Sequence, residues 1–306
     1  MPKRSSNGNV PNFLMVGAAK SGTTSLYHYL KQHPEVFMSL IKEPHFIVSQ
    51  FIKSLGRGRG EDTLKVVRKY DEYLKLFEGS SGKKAVGEAS NDNLYHYEEA
   101  IKYIKSFFGD PRIIIILRDP VDRAFSAYSY LMRDNREYLS FEEALEAEEK
   151  RMQEGWRCMW YYRDVGFYYN QVKAYKESFS RVKVALFDDL REDPKQLAKE
   201  IYEFLEVDPS FVPNTDTRHN VSGIPRCRWM NNLFLKKGLF QKTMRTTGTF
   251  ILREEGWVRL RESVRSRILA ETRMKKETRL KLRDIYRADI GKLQALIKRD
   301  LAHWMA

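Results

Sequence analysis

Five consecutive aliphatic residues, Ile113-Ile114-Ile115-Ile116-Leu117, leave this chain few ways to fold. β-Branched side chains favour extended backbone, and successive residues of a strand face opposite sides, so an unbroken apolar run demands cover on both faces. A parallel sheet between layers of helices supplies that cover. Phe13-Leu14-Met15-Val16, closed by Gly17, and Val182 to Phe187 read as further strands. Helices are expected over Ser25–Gln32, with Leu26 and Leu30 on one face, and over Tyr95–Phe108, burying Ile101, Ile104 and Phe108. Asp119-Pro120 and Asp193-Pro194 each combine a capping carboxylate with a first-turn proline. They open helices over Val121–Met132 and over the stretch carrying Leu197, Ile201, Phe204 and Leu205.

Strands alternating with helices define an α/β fold, a single domain with a central parallel sheet flanked by helices. The 306 residues show no internal repeat and no linker, so residues 12–306 read as one domain behind a disordered polar tail, 1–11. Arg57-Gly58-Arg59-Gly60 reads as a mobile surface loop, and 214–256 as irregular. Residues 257–301 read as basic helices with Ile285, Leu293, Leu296 and Leu301 inward.

Apolar residues at 42% and charged residues at 31% place the chain among globular proteins. The polar start lacks a signal-peptide core, and no run is long enough to span a membrane, so a cytoplasmic protein without a membrane span is expected. Cys158 and Cys227 stand in no metal-ligand spacing and are expected to be free thiols. The net charge of +13 is either a solubilising surface or a field that draws in a polyphosphorylated cofactor or an acidic acceptor. No zinc-finger, ribonucleoprotein or basic-zipper pattern supports a nucleic-acid partner.

Gly17-Ala18-Ala19-Lys20-Ser21-Gly22-Thr23-Thr24 joins the first strand to the first helix. Such a loop aims backbone N–H groups and a helix N-terminus at one point, which suits an anion. A Walker loop needs Lys and Ser/Thr directly after its second glycine, whereas here Lys20 precedes Gly22. Ordinary ATP chemistry is therefore not indicated.

Gly17 to Leu26 resembles the P-loop-like phosphosulfate loop of the sulfotransferases that use 3′-phosphoadenosine-5′-phosphosulfate (PAPS). Arg118-Asp119-Pro120-Val121-Asp122-Arg123-Ala124-Phe125-Ser126-Ala127-Tyr128 resembles the second half of their signature. The resemblance implies that Ala19, Lys20, Ser21, Gly22, Thr23 and Thr24 hold the 5′-phosphosulfate. It places Arg118 and Ser126 on the 3′-phosphate, with Arg226 in a basic flap, Arg218 to Arg228, above it. Gly166-Phe167-Tyr168-Tyr169, Phe187-Asp188-Asp189-Leu190 and Phe204-Leu205 follow the family's order. Lys298-Arg299-Asp300-Leu301-Ala302-His303-Trp304 resembles the ending of its carbohydrate branch.

Lys42-Glu43-Pro44-His45-Phe46 resembles a segment of the heparan sulfate branch, whose glutamate is the general base. That implies Glu43 as base, with His45 as the rival. The chain departs from that branch in three places. Ile47-Val48 replaces Phe-Asp, Glu88 is followed by Ala89 instead of lysine, and Cys227 has no partner for the branch's disulfide. The implied reaction moves a sulfuryl group in line from PAPS to a hydroxyl or amine of a small-molecule or carbohydrate acceptor. It releases adenosine 3′,5′-bisphosphate (PAP) without a metal, and Lys20 neutralises the leaving oxygens. The rival readings are a nucleotide or sugar kinase and a non-catalytic nucleic-acid binder. Trp156, Trp160, Tyr161 and Tyr162, within 133–165, are read either as acceptor contacts or as core aromatics.

Overall fold

The isoleucine run forms an inner strand of the sheet. The computed structural model describes residues 10–52, 57–60, 65–216, 224–225, 269–270 and 274–306. Its main sheet has β1 (Phe13–Gly17), β2 (Val36–Met38), β3 (Ala85–Ala89), β4 (Arg112–Leu117) and β5 (Val182–Leu186). They lie in the order β2-β3-β1-β4-β5, and every neighbouring pair is parallel. A two-residue ribbon, β6 (Ile224–Pro225) with β7 (Leu269–Ala270), is antiparallel.

The helices are α1 (Thr23–Gln32), α2 (Phe46–Ser49), α3 (Tyr70–Lys75), α4 (Asp92–Tyr95), α5 (Tyr97–Phe108) and α6 (Pro120–Arg133). They continue with α7 (Phe141–Glu146), α8 (Glu148–Gln153), α9 (Tyr168–Ser178), α10 (Phe187–Glu192), α11 (Pro194–Leu205), α12 (Lys276–Ile297) and α13 (Ala302–Met305). Strand β4 shows why both layers exist. Ile113, Ile115 and Leu117 enter the cluster that includes residues of α5, α6, α9 and α12, while Ile114 and Ile116 enter the opposite one, with α1 and α11. Full burial of each side chain contributes roughly 1.5–3 kcal/mol before chain entropy is counted.

The helix starts follow local chemistry. Asp119 accepts from the Val121 and Asp122 N–H groups at 2.8 and 3.3 Å, and Asp193 accepts from Lys195 and Gln196 at 3.1 and 2.9 Å. Several boundaries differ from the sequence expectation. The first helix begins at Thr23, and Phe187 opens α10 instead of ending β5. Tyr95 closes α4, because His96 leaves the helical region at φ −88°, ψ 36°. Phe108 is half-buried, whereas Ile101 and Ile104 are buried.

In α12 the buried stripe is Leu282, Tyr286, Ile290 and Leu293, at helical spacing. Ile285 and Leu296 flank it half-buried, and Leu301 is buried. The surface loop at Arg57–Gly60 is tied down: Arg57 N–H donates to Gly155 O, and Arg157 N–H donates to Arg57 O, both at 2.9 Å. Most of 214–256, with the expected helical stretch before 274, lies outside the described residues. Among the described residues, no helix is long and apolar enough to cross a membrane.

Candidate active site

The strand order reverses direction between β1 and β4, which makes the carboxyl ends of those neighbours the crevice where open α/β sheets take ligands. The loop Gly17–Thr24 leaves β1 there, and Arg118 leaves β4. Glu43 and His45 follow β2, Asn91 and Asp92 follow β3, and Phe187 follows β5.

Gly22 caps α1 at φ 93° and places no side chain over the first-turn N–H groups, which leaves that helix end open to an anion. A Cβ at Gly22 would lie 2.4 Å from Leu190 Cδ2 and 3.0 Å from Phe187 Cδ2, so any other residue would push those side chains aside at a backbone φ that L residues rarely adopt. Ala19 and Thr24 are half-buried, while Ser21 and Thr23 are buried. Arg118 Nη1 donates to Lys20 O at 3.4 Å, and the guanidinium lies 4.6 Å from the centroid of the Phe187 ring. Burial lowers the Arg118 pKa, and no carboxylate stands within ion-pair distance of it among the described residues. The Arg118 guanidinium and the α1 N-terminus are therefore both able to take an anion. Ser126 is buried on α6 and forms no hydrogen bond to these groups among the described residues. Arg226, the Arg218–Arg228 flap and Cys227 lie outside the described residues.

Lys20 Nζ sits 4.2 Å above the Tyr130 ring. Burial, with Arg133 and Arg118 nearby, brings its ammonium down to about 7 against the opposing pull of Glu43 and Asp134. Lys42 forms a close ion pair with Glu43 Oε1, and Asn91 Nδ2 donates to the same oxygen at 2.5 Å. Burial opposes charge on Glu43, but Lys42 and His45 outweigh it and hold the carboxyl below its ordinary pKa. His45 Nε2 is 4.0 Å from Glu43 Oε2, and its Nδ1 is 3.5 Å from Asp92 Oδ2.

Arg157 Nη2 donates to Asp92 Oδ2 at 2.7 Å and lies 3.4 Å from His45 Nε2. Burial and then Arg157 keep the imidazole below its ordinary pKa, although Asp92 pulls the other way. His45 is 1% exposed, while the Glu43 side chain is 30% exposed. Lys20, Glu43 and His45 all adopt left-handed backbone, at φ 69°, 59° and 54°. That conformation costs roughly 1–2 kcal/mol for a residue with a Cβ.

Sequence reasoning missed Asn91, Asp92, Arg157, Tyr130 and Arg133. Asn91 and Asp92 were findable from their place after a strand's carboxyl end. Arg157 carries no local signal. Of the four aromatics in its segment, Trp160, Tyr161 and Tyr162 are buried and Trp156 is half-buried, so three of them pack as core. Cys158 is a free buried thiol whose pKa burial pushes up. Among the described residues, no cluster of His, Cys, Asp or Glu is arranged to hold a metal ion.

A sequence model described as the Sulfotransferase family matches residues 11–211. Human carbohydrate sulfotransferase 15 is 32% identical over 168 residues, covering 44% of this chain and 29% of its own length. Human bifunctional heparan sulfate N-deacetylase/N-sulfotransferase 3 is 30% identical over 216 residues, covering 66% of this chain and 23% of that protein. The chain thus spans less than a third of these curated relatives. The crystal structure of a sulfotransferase from Alicyclobacillus acidocaldarius is 35% identical, with a TM-score of 0.75 over 97% of this chain and 99% of that one.

Proposed function

Because the chain belongs to the sulfotransferase family, we propose that it transfers a sulfuryl group from PAPS to a hydroxyl or amine of an acceptor, releasing PAP. The observation that carries this reading is the meeting of the Lys20 loop with Arg118 at the sheet's switch point, with Glu43 inside the field of Lys20. The two carbohydrate relatives favour a carbohydrate acceptor.

PAPS supplies an activated S–O bond, and the work left to the protein is positioning and charge stabilisation. The N–H groups at the start of α1, with the Thr23 and Thr24 hydroxyls, hold the 5′-phosphate. Arg118 binds the 3′-phosphate through a planar fork of donors, supported by Ser126 and by Arg226 beyond the described residues. Lys20 meets the negative charge that grows on the leaving oxygen, where a preorganised cation contributes most.

Glu43 takes the proton from the acceptor as its oxygen or nitrogen attacks sulfur. Lys42 and Asn91 fix one oxygen of that carboxylate, and its depressed pKa keeps it ionised at neutral pH. His45, sealed between Asp92 and Arg157, orients the pocket instead of exchanging protons with the acceptor. The test mixes the protein with PAPS and a panel of hydroxylated and aminated saccharides, then follows PAP release and sulfated product by mass spectrometry. Product with PAPS and none with ATP is expected. Absence of any stabilisation by PAP would overturn the reading.

A further inference from the structure

A cavity of about 370 Å³ opens beside α4, the start of α5 and the start of α9. None of its residues has a part in the transfer described above. Phe51, Tyr95, Tyr97 and Phe167 give it aromatic walls. Glu98, Glu99 and Asp164 bring three carboxylates to it, in a chain of net charge +13. Lys102 occupies Glu99 at 2.6 Å. Glu98 and Asp164 have no cation within ion-pair distance among the described residues: Tyr97 OH donates to Glu98 at 3.3 Å, and Tyr95 OH donates to Asp164 Oδ2 at 2.6 Å. Gln171, 4% exposed, spends its Nε2 on the carbonyls of Val165 and Phe167 and leaves Oε1 without a donor.

Each feature selects the same chemistry. Ring faces attract a cation that has shed its water. Two carboxylates with no cation within ion-pair distance among the described residues repel anions and favour an ammonium. A divalent ion is not indicated, because these carboxylates form no metal-ligand cluster among the described residues. The volume suits a molecule of one or two rings. We propose that this cavity is a ligand subsite for a protonated amine carried on a flat ring. His96, on its lining, lies within electrostatic reach of Asp92 and Arg157, so the subsite adjoins the network around His45.

The test is calorimetric titration of the full chain at pH 7.5, with and without PAP, using three probes of one shape. Phenethylamine is the cation, phenethyl alcohol the neutral form and 3-phenylpropionate the anion. The amine should bind about tenfold more tightly than the alcohol, and the anion should not bind. Asp164→Asn should lower amine affinity roughly tenfold, and the surface pair Glu98→Gln/Glu99→Gln severalfold, with alcohol binding unchanged. PAP affinity, unchanged in both variants, verifies the fold and keeps the donor-site reading separate. If Asp164→Asn loses PAP binding, the Glu98/Glu99 variant decides the matter alone. Equal affinity for amine and alcohol, or amine binding indifferent to the carboxylates, overturns the proposal. Incubation with PAPS then separates two sources of the ammonium: a sulfated probe marks an acceptor subsite, and an unsulfated bound probe marks an effector subsite.

Discussion

In the free protein Lys20 titrates at about 7, because burial and the neighbouring Arg133 and Arg118 disfavour its charge. In the proposed binding mode a phosphosulfate or bisphosphate places anionic oxygens beside the same nitrogen and returns it to the fully charged form. Binding must then take up the missing proton. For a group moving from a pKa of about 7 into the ordinary lysine range, uptake is about 0.5 proton at pH 7 and about 0.9 at pH 8. Affinity for PAP should accordingly fall about fivefold between pH 7 and 8 and about ninefold between pH 8 and 9. Phosphate groups of the ligand titrate near pH 6, so the clean window is pH 7.5–8.5. The assay is calorimetry with PAP in buffers of different ionisation enthalpy, where the slope of observed heat gives the proton count. Lys20→Met should bind more weakly and take up none. Uptake below about 0.2 proton at pH 8 in the native protein, or the same uptake in Lys20→Met, would refute the assignment of this nitrogen to the anion site.

Glu43→Gln keeps shape and removes basicity, so kcat should fall roughly 10²–10⁴-fold while PAP affinity holds. His45→Ala should cost less, and loss of a low-pH limb only in that variant would move the base to His45. Arg118→Ala should erase the preference for PAP over AMP, about tenfold or more in dissociation constant, as read by thermal shift or titration. Glu88, buried on β3 with its carboxyl pushed up from 4.5 to about 7, gives a stability test. Between those values the folded chain binds the extra proton, so this contribution is full below pH 4.5 and is lost as pH rises through 7. Native minus Glu88→Gln stability should therefore drop by about 3 kcal/mol from pH 4.5 to 8 in denaturant titrations. A flat difference would remove Glu88 from the buried ionisable groups.

The sheet and the glycine-bounded loop after β1 were legible because their signals are local. The run Ile113–Leu117 requires two covered faces wherever it sits, and the glycines at 17 and 22 mark the turn around Lys20 without reference to distant residues. The prolines at 120 and 194 sharpened the helix starts in the same way. The surroundings of Glu43 and His45 were not legible. The Arg157–Asp92 pair closes over 65 residues, and nothing in either neighbourhood announces the other. The same holds for Arg57, read as a surface loop, whose hydrogen bonds reach Gly155 and Arg157. Segment 133–165 draws attention for its aromatics, yet it contributes two guanidinium groups to the site, Arg133 near Lys20 and Arg157 on Asp92, since aromatic content cannot separate core from pocket before burial is known.

Phe187 stands against both the Gly17–Thr24 loop and Arg118, beside the direct hydrogen bond from Arg118 to Lys20 O. One part of its ring would lie 3.0 Å from a Cβ at Gly22, and the ring also lies 4.6 Å from the Arg118 guanidinium. The Gly17–Thr24 loop and Arg118, the groups proposed to hold the two ends of PAPS, are thus braced by the same wall, and shifting that wall disturbs both at once. Energetic independence of the two ends of the nucleotide is lost as a result. Phe187→Ala combined with Arg118→Ala should cost less affinity for PAP than the sum of the single changes, the non-additivity expected of groups that share a partner.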